Sequence, residues 1–175
     1  MGKRSNFERR PMDFYPTPYE AVVPLLPYLA PNTAFCEPCA GQGDLIRHLE
    51  AKGHKCASAF DADPETAYPV LDARNLNKDH LNGANLIITN PPWSRDILHE
   101  MIMKFTELAP TWLLFDADWM FTKQARPYMD LCDAIVAVGR VKWIQGSKNT
   151  GKDNCAWYRF ERRSGLIRNP FFVGR

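Results

Sequence analysis

Hydrophobic positions in this chain come in short uncharged runs, separated by longer segments in which apolar residues recur every third or fourth position. Leu86-Ile-Ile-Thr89 is the clearest run. It is rich in β-branched side chains and suits a strand buried on both faces of a parallel sheet. Thr33–Cys36, Cys56–Phe60, Thr111–Phe115, Ala134–Val138 and Cys155–Phe160 read as further strands. Tyr19–Leu29, Asp44–Lys52, Asp96–Leu108 and Met120–Leu131 read as helices, and in the third of these Ile97, Ile102, Phe105 and Leu108 recur at helical spacing. Thr17 is placed to cap the first helix with Pro18 at its opening position, and Asp44 to cap the second. Trp112, Phe115, Trp119 and Phe121 form an aromatic cluster expected in the core. With one more strand between Phe60 and Leu86, the alternation of strands and helices predicts an α/β domain with a mostly parallel, seven-stranded sheet and helices on both faces.

Length and composition narrow this further. The chain has 175 residues, 45% hydrophobic and 24% charged, enough for one domain with a proper core and too few for two. Residues 1–12 carry Lys3, Arg4, Arg9 and Arg10 without periodicity and read as a flexible basic tail; residues 13–175 read as the single domain. A formal charge of +2 announces no partner by itself, so any basic surface must come from local clustering. No apolar run approaches the roughly 18–20 residues that span a bilayer, and the start has no apolar leader segment, which predicts a soluble, cytoplasmic protein. Five cysteines without regular spacing argue against a disulfide framework. Cys36 and Cys39 form a CxxC pair, but no second close pair completes four zinc ligands, so no metal site is expected.

The chemistry concentrates where strands end. After Leu86–Thr89 comes Asn90-Pro91-Pro92-Trp93. The prolines cannot extend a ladder and hold the chain rigidly beyond the strand's carboxyl end, where open α/β sheets bind their ligands. Asn90 Oδ1 and the Pro91 carbonyl can each accept one N–H of an exocyclic amine, while the Trp93 indole can stack on the ring that carries it. After Thr33–Cys36 comes Glu37-Pro38-Cys-Ala-Gly41-Gln-Gly43, in which the two glycines allow a tight turn and close approach of the backbone to a ligand. A third glycine of the dinucleotide fingerprint would fall at Ile46, which disfavours a nicotinamide or flavin site. Asp61 follows the next strand, about 20 residues past the glycines, and is placed to accept both ribose hydroxyls of an adenosyl cofactor. Asp63 reads as the cap of the segment after it.

Taken together, these segments resemble the amino-methyltransferases that use S-adenosylmethionine (SAM), chiefly the DNA N6-adenine methyltransferases. Asn90-Pro-Pro-Trp93 is similar to their motif IV, Glu37 to Gly43 to motif I, and Tyr15-Pro-Thr17-Pro to motif X. Leu71-Asp72-Ala-Arg-Asn75 is similar to motif III. The resemblance covers residues 13–160 and implies a Rossmann-like class I methyltransferase fold. It implies that Thr17 and its neighbouring backbone hold the methionine carboxylate, that Tyr15, Glu37, Pro38, Gly41, Gly43 and Asp61 belong to the cofactor site, and that Asp72 accepts from the cofactor's adenine amino group.

Between the last two strands lies Gly139 to Asn154, a basic loop with interleaved glycines and tryptophan that suits a nucleic-acid backbone. It resembles the motif VIII region, where an aromatic residue helps hold the target base. Trp143 and Trp157 are the candidates for that role, with Lys142, Lys148 and Lys152 for phosphates. Phe160-Glu-Arg-Arg163 and Arg168 add a basic fringe. The chain has no room for a separate target-recognition domain, which makes the compact enzymes of phages and prophages the nearer comparison within the family. The resemblance implies methyl transfer from SAM to the N6 amine of adenine in DNA, with RNA adenine or a protein glutamine as alternative acceptors. The rival reading is a catalytically silent nucleic-acid-binding module. No feature specifies an oligomeric state.

Overall fold

The computed structural model describes residues 15–144, 150–162 and 171–173. The strands are β1 (Ala34–Glu37), β2 (Lys55–Ala59), β3 (Leu86–Thr89), β4 (Thr111–Asp116), β5 (Cys132–Arg140), β6 (Asn154–Phe160) and β7 (Phe171–Val173). They form one sheet in the order β2-β1-β3-β4-β6-β5-β7. The sheet is mixed. Pairing is parallel from β2 through β4 and again between β5 and β7, but β6 runs antiparallel between β4 and β5.

Alternate side chains along each central strand enter opposite layers. Ile87, Leu113, Phe115, Tyr158 and Phe160 face a layer built from Leu98, Met101, Ile102 and Phe105 of α3 (Arg95–Thr106) together with Trp119 and Ala125. Ile88, Trp112, Leu114 and Trp157 face Ala21, Val22 and Leu25 from the N-terminal helical segment and Leu45, Ile46 and Leu49 of α2 (Asp44–Glu50). Burial on both faces explains why β3 is a continuous apolar run.

Several expected elements differ. The first helix is only α1 (Tyr19–Val22), continued as a 3-10 helix over Val23–Tyr28, because Pro24 and Pro27 interrupt the α pattern. Thr17 makes no cap hydrogen bond there, and α2 takes its cap position from Gly43 rather than from Asp44. Met120–Leu131 is not one helix but the end of a 3-10 turn, Ala117–Phe121, and a short α4 (Arg126–Met129) with Pro127 near its start. Residues 61–72, which lack room for a helix and a strand, contribute a single parallel bridge between Asp61 and Val70. Trp112, Phe115 and Trp119 are buried as expected, but Phe121 is 80% exposed. Among the described residues, no helix is long and apolar enough to cross a membrane.

Candidate active site

A cavity of about 490 Å³ opens at the carboxyl ends of β1, β2 and β3. Thr17, Glu37, Gly41, Asp61, Asp72 and Asn90, which lie far apart in sequence, all line it, together with Tyr15 and Pro92.

Glu37, the last residue of β1, is 1% exposed. Burial pushes its carboxyl pKa up to about 8; the nearby Thr89 hydroxyl and the Cys39 N–H favour the charged form, and Asp61 adds a smaller upward push. The Cys39 N–H donates to Oε1 at 3.1 Å. Oε2 and the Thr89 hydroxyl are both buried without a hydrogen bond of good geometry. A buried acceptor lining a cavity in this state suits a ligand that brings a cationic or N–H group.

The glycine loop is held from behind. Asp61 accepts the Gly41 N–H through Oδ2 at 2.6 Å and the Asp63 N–H through Oδ1 at 2.8 Å, so one side chain ties the β2 end to the loop after β1. Gly43 has φ 78°, and a Cβ there would stand 2.2 Å from the Tyr68 hydroxyl. Gly43 therefore turns the chain beneath Tyr68, while Gly41 lines the cavity. Pro38 is buried. Asp63 accepts from the Glu65 N–H at 2.9 Å, the expected cap.

Asp72 lines the cavity with its carboxylate already engaged. Arg74 Nε lies 3.0 Å from Oδ1 and 3.1 Å from Oδ2, Nη2 lies 2.6 Å from Oδ2, and the Arg74 backbone N–H lies 2.9 Å from Oδ1. These contacts hold its pKa below the usual carboxylate range, although burial acts against them.

Asn90 stands just past β3. Its Nδ2 donates to Thr17 Oγ1 at 3.1 Å and to the Tyr15 carbonyl at 3.4 Å, and its Oδ1 accepts from Trp93 Nε1 at 3.3 Å. The Tyr15 carbonyl can only accept, so the amide orientation follows from its partners. Thr17, expected to cap a helix, instead joins the N-terminal segment to the Asn-Pro-Pro-Trp turn. Pro91 is buried, and Pro92 lines the cavity.

Trp143 meets this site edge-on. Its ring lies 5.7 Å from Trp93 at 84° and 6.3 Å from Tyr15 at 61°. Trp157 does not: it is fully buried in the core and donates Nε1 to the Ala21 carbonyl at 2.7 Å. Contrary to expectation, Trp157 cannot hold a target base, because β6 alternation turns it toward the α2 layer. Lys142 and Lys152 are exposed on the neck of the basic loop, which closes through the Gly151 N–H on the Val141 carbonyl at 2.7 Å. Lys148, Arg163 and Arg168 lie outside the described residues, as does the basic tail.

The cavity wall also includes Cys39, Arg74, Ser94, Ile97 and Met101, to which the sequence attaches no site role. Ile97 and Met101 are four apart on α3, so their helical spacing marks a buried face without saying that a cavity borders it.

No protein-family model and no curated protein matches the sequence. Solved structures do share its fold. PH1948 from Pyrococcus horikoshii, a candidate RNA methyltransferase, is similar over 90% of either chain with a TM-score of 0.59 and 15% identity. A TehB-like SAM-dependent methyltransferase from Corynebacterium glutamicum is similar over 83% of this chain and 88% of its own, with a TM-score of 0.50 and 15% identity. The M protein of the type I restriction enzyme EcoKI is similar over 91% of this chain but 44% of its own, with a TM-score of 0.53 and 14% identity. The architecture is the class I methyltransferase fold.

Proposed function

We propose that the protein is a SAM-dependent methyltransferase acting on the N6 amine of adenine in DNA. The observation that carries this reading is the placement of Asn90, with its amide locked by Tyr15 and Thr17, at the rim of the cavity lined by Glu37, Gly41 and Asp61. The residues fit the cofactor. Glu37 Oε2 is an unpartnered buried acceptor for the methionine ammonium, and Thr17, whose oxygen accepts from Asn90, keeps its own proton for the methionine carboxylate. Asp61 and Asp72 are acceptors for the ribose and the adenine amino group, each through lone pairs left over from its present bonds. SAM, when bound, supplies a methyl group activated by a sulfonium.

An exocyclic amine is a poor nucleophile because its lone pair is delocalised into the ring. Asn90 Oδ1 and the Pro91 carbonyl, by accepting its two N–H groups, favour the tetrahedral nitrogen and stabilise the positive charge that grows on it. Held this way, the amine would take the methyl group as the carbon–sulfur bond breaks, its electron pair staying on a neutral thioether, and the nitrogen would then lose one proton to solvent. Trp93 provides a stacking face for a base that has left the duplex. Trp143 stands against Trp93 as a second aromatic wall.

Tritium transfer from labelled SAM to DNA, RNA and protein tests the reading. Label in DNA adenine is the expected result; label only in RNA or protein moves the same chemistry to that acceptor. No label in any acceptor, with no calorimetric SAM binding, leaves the silent binding module.

A further inference from the structure

Phe121 is the most exposed of the large hydrophobic side chains described, at 80%, yet the segment that carries it is anchored. Trp119 is 1% exposed and donates Nε1 to His99 of α3 at 3.0 Å, and Ala125 is fully buried. Thr122 closes the turn, with its N–H and its hydroxyl both donating to the Trp119 carbonyl, at 2.9 Å and 2.8 Å. The phenyl ring is therefore held outward by a packed base.

Its position relates it to the active site. β3 and β4 are parallel neighbours, with Thr89 opposite Leu113, so the Asn90 turn and the Ala117–Phe121 turn leave the same end of the sheet side by side. Arg95, two residues past Trp93, is hydrogen-bonded to Gln124, three past Phe121. Arg95, Lys123 and Arg126 are exposed on these segments, and so are Asp96, Asp118 and Asp130, so the surface here carries both signs of charge. An exposed aromatic side chain on a rigid base, beside the turn proposed to receive the target base, suits a partner whose interior is a stack of flat bases.

We propose that Phe121 is an apolar wedge that enters the base stack of duplex DNA beside the target adenine, offsetting the stacking lost when that base turns out toward Trp93. The inference rests on the methyltransferase reading above. A single strand has no pairing to break and only a loose stack, so the base leaves it at little cost and the wedge matters chiefly for the duplex.

The test uses the full chain and one DNA sequence that the wild-type protein methylates, offered as duplex and as single strand. Phe121→Ala is expected to lower single-turnover methylation of the duplex by at least about tenfold, leaving the single strand, SAM affinity and melting temperature near wild type. Phe121→Trp is expected to restore duplex activity. Equal activity of Phe121→Ala and wild type on the duplex overturns the wedge, as does an equal loss on both forms or a wild-type protein active only on single strands. A wild-type protein that methylates neither form overturns the underlying reading instead.

Discussion

Trp93 donates its indole N–H to Asn90 Oδ1 at 3.3 Å, the same oxygen that methyl transfer would ask to accept from the target amine. Nδ2 is committed to Thr17 and Tyr15, so that oxygen is the only acceptor the side chain has to offer. Replacing Asn90 with Ala should lower single-turnover transfer by at least about a hundredfold, as for other preorganised groups at developing charge. Asn90→Asp keeps an acceptor but sets an oxygen against the Tyr15 carbonyl. Its expected loss is therefore greater in SAM affinity than in the chemical step, because the Tyr15–Thr17 segment loses its tie. Calorimetry beside single-turnover kinetics separates the two; wild-type transfer by Asn90→Ala sinks the proposed role.

The same hydrogen bond makes Trp93 a competitor for the site it serves. Trp93→Phe retains a stacking face and removes the competing N–H, so transfer should equal or exceed wild type. Trp93→Ala should weaken binding of the base by about 1–3 kcal/mol, the usual cost of a lost stacking partner. Equal DNA affinities for wild type, Phe and Ala variants would show that this ring does not meet the base.

Glu37 gives the cavity a pH dependence. Burial raises its folded-state pKa to about 8 from an ordinary value of 4.5. The folded protein therefore holds a proton that the unfolded chain has lost, and stability from this group is full below the lower value and declines as pH rises toward about 8. The difference in unfolding free energy between wild type and Glu37→Gln should follow that decline, with the variant gaining relative stability as pH rises. A cationic ligand beside the carboxyl favours its charged form, so SAM binding near pH 7 should release a proton. Calorimetry in buffers of different ionisation enthalpy measures it; zero release would place the ligand's cation elsewhere.

Strand ends, the glycine loop and the Asn-Pro-Pro-Trp turn were legible because each depends on local chemistry: β-branched runs, residues free of a Cβ, residues without an N–H. The cavity brings Thr17, Glu37, Gly41, Asp61, Asp72 and Asn90 together. Long-range pairing was not legible. That Thr17 bonds Asn90 rather than its own helix and that Trp157 points into the core depend on which layer a neighbouring strand faces, whereas Arg74 reaches Asp72 from only two residues away. The segment after Asp61 was too short for the helix and strand that the family pattern suggests, and it yields one bridge. Phe121 fits an aromatic core by composition, and only the turn geometry sends it outward.

Asp61 has two duties, which changes what its removal should do. Besides lining the cavity, it accepts from Gly41 and Asp63. Asp61→Ala should therefore weaken SAM binding by roughly 1.5–3 kcal/mol, as for hydrogen bonds to a charged acceptor, and should also lower the melting temperature of the free protein. Asp61→Asn keeps one acceptor oxygen and should lie between. Unchanged SAM affinity in Asp61→Ala would remove it from the ribose.

Lys142 and Lys152 test whether the basic loop meets DNA. Both are exposed at the neck of the loop, where Lys142 N–H is held by Glu20 Oε1 at 2.7 Å and Trp143 leans on Tyr15 and Trp93. The neck is thus fixed to the active-site rim even though Lys148 lies outside the described residues. A phosphate contact releases condensed counterions, so each lysine lost should reduce the slope of log affinity against log salt by about 0.9. Replacing Lys142 and Lys152 with Ala should flatten the slope by up to about 1.8, and Lys148→Ala should add up to about 0.9 more, at every DNA sequence alike. Filter binding across a salt series measures it. A slope equal to wild type in the triple variant would return the loop to a solvated hairpin.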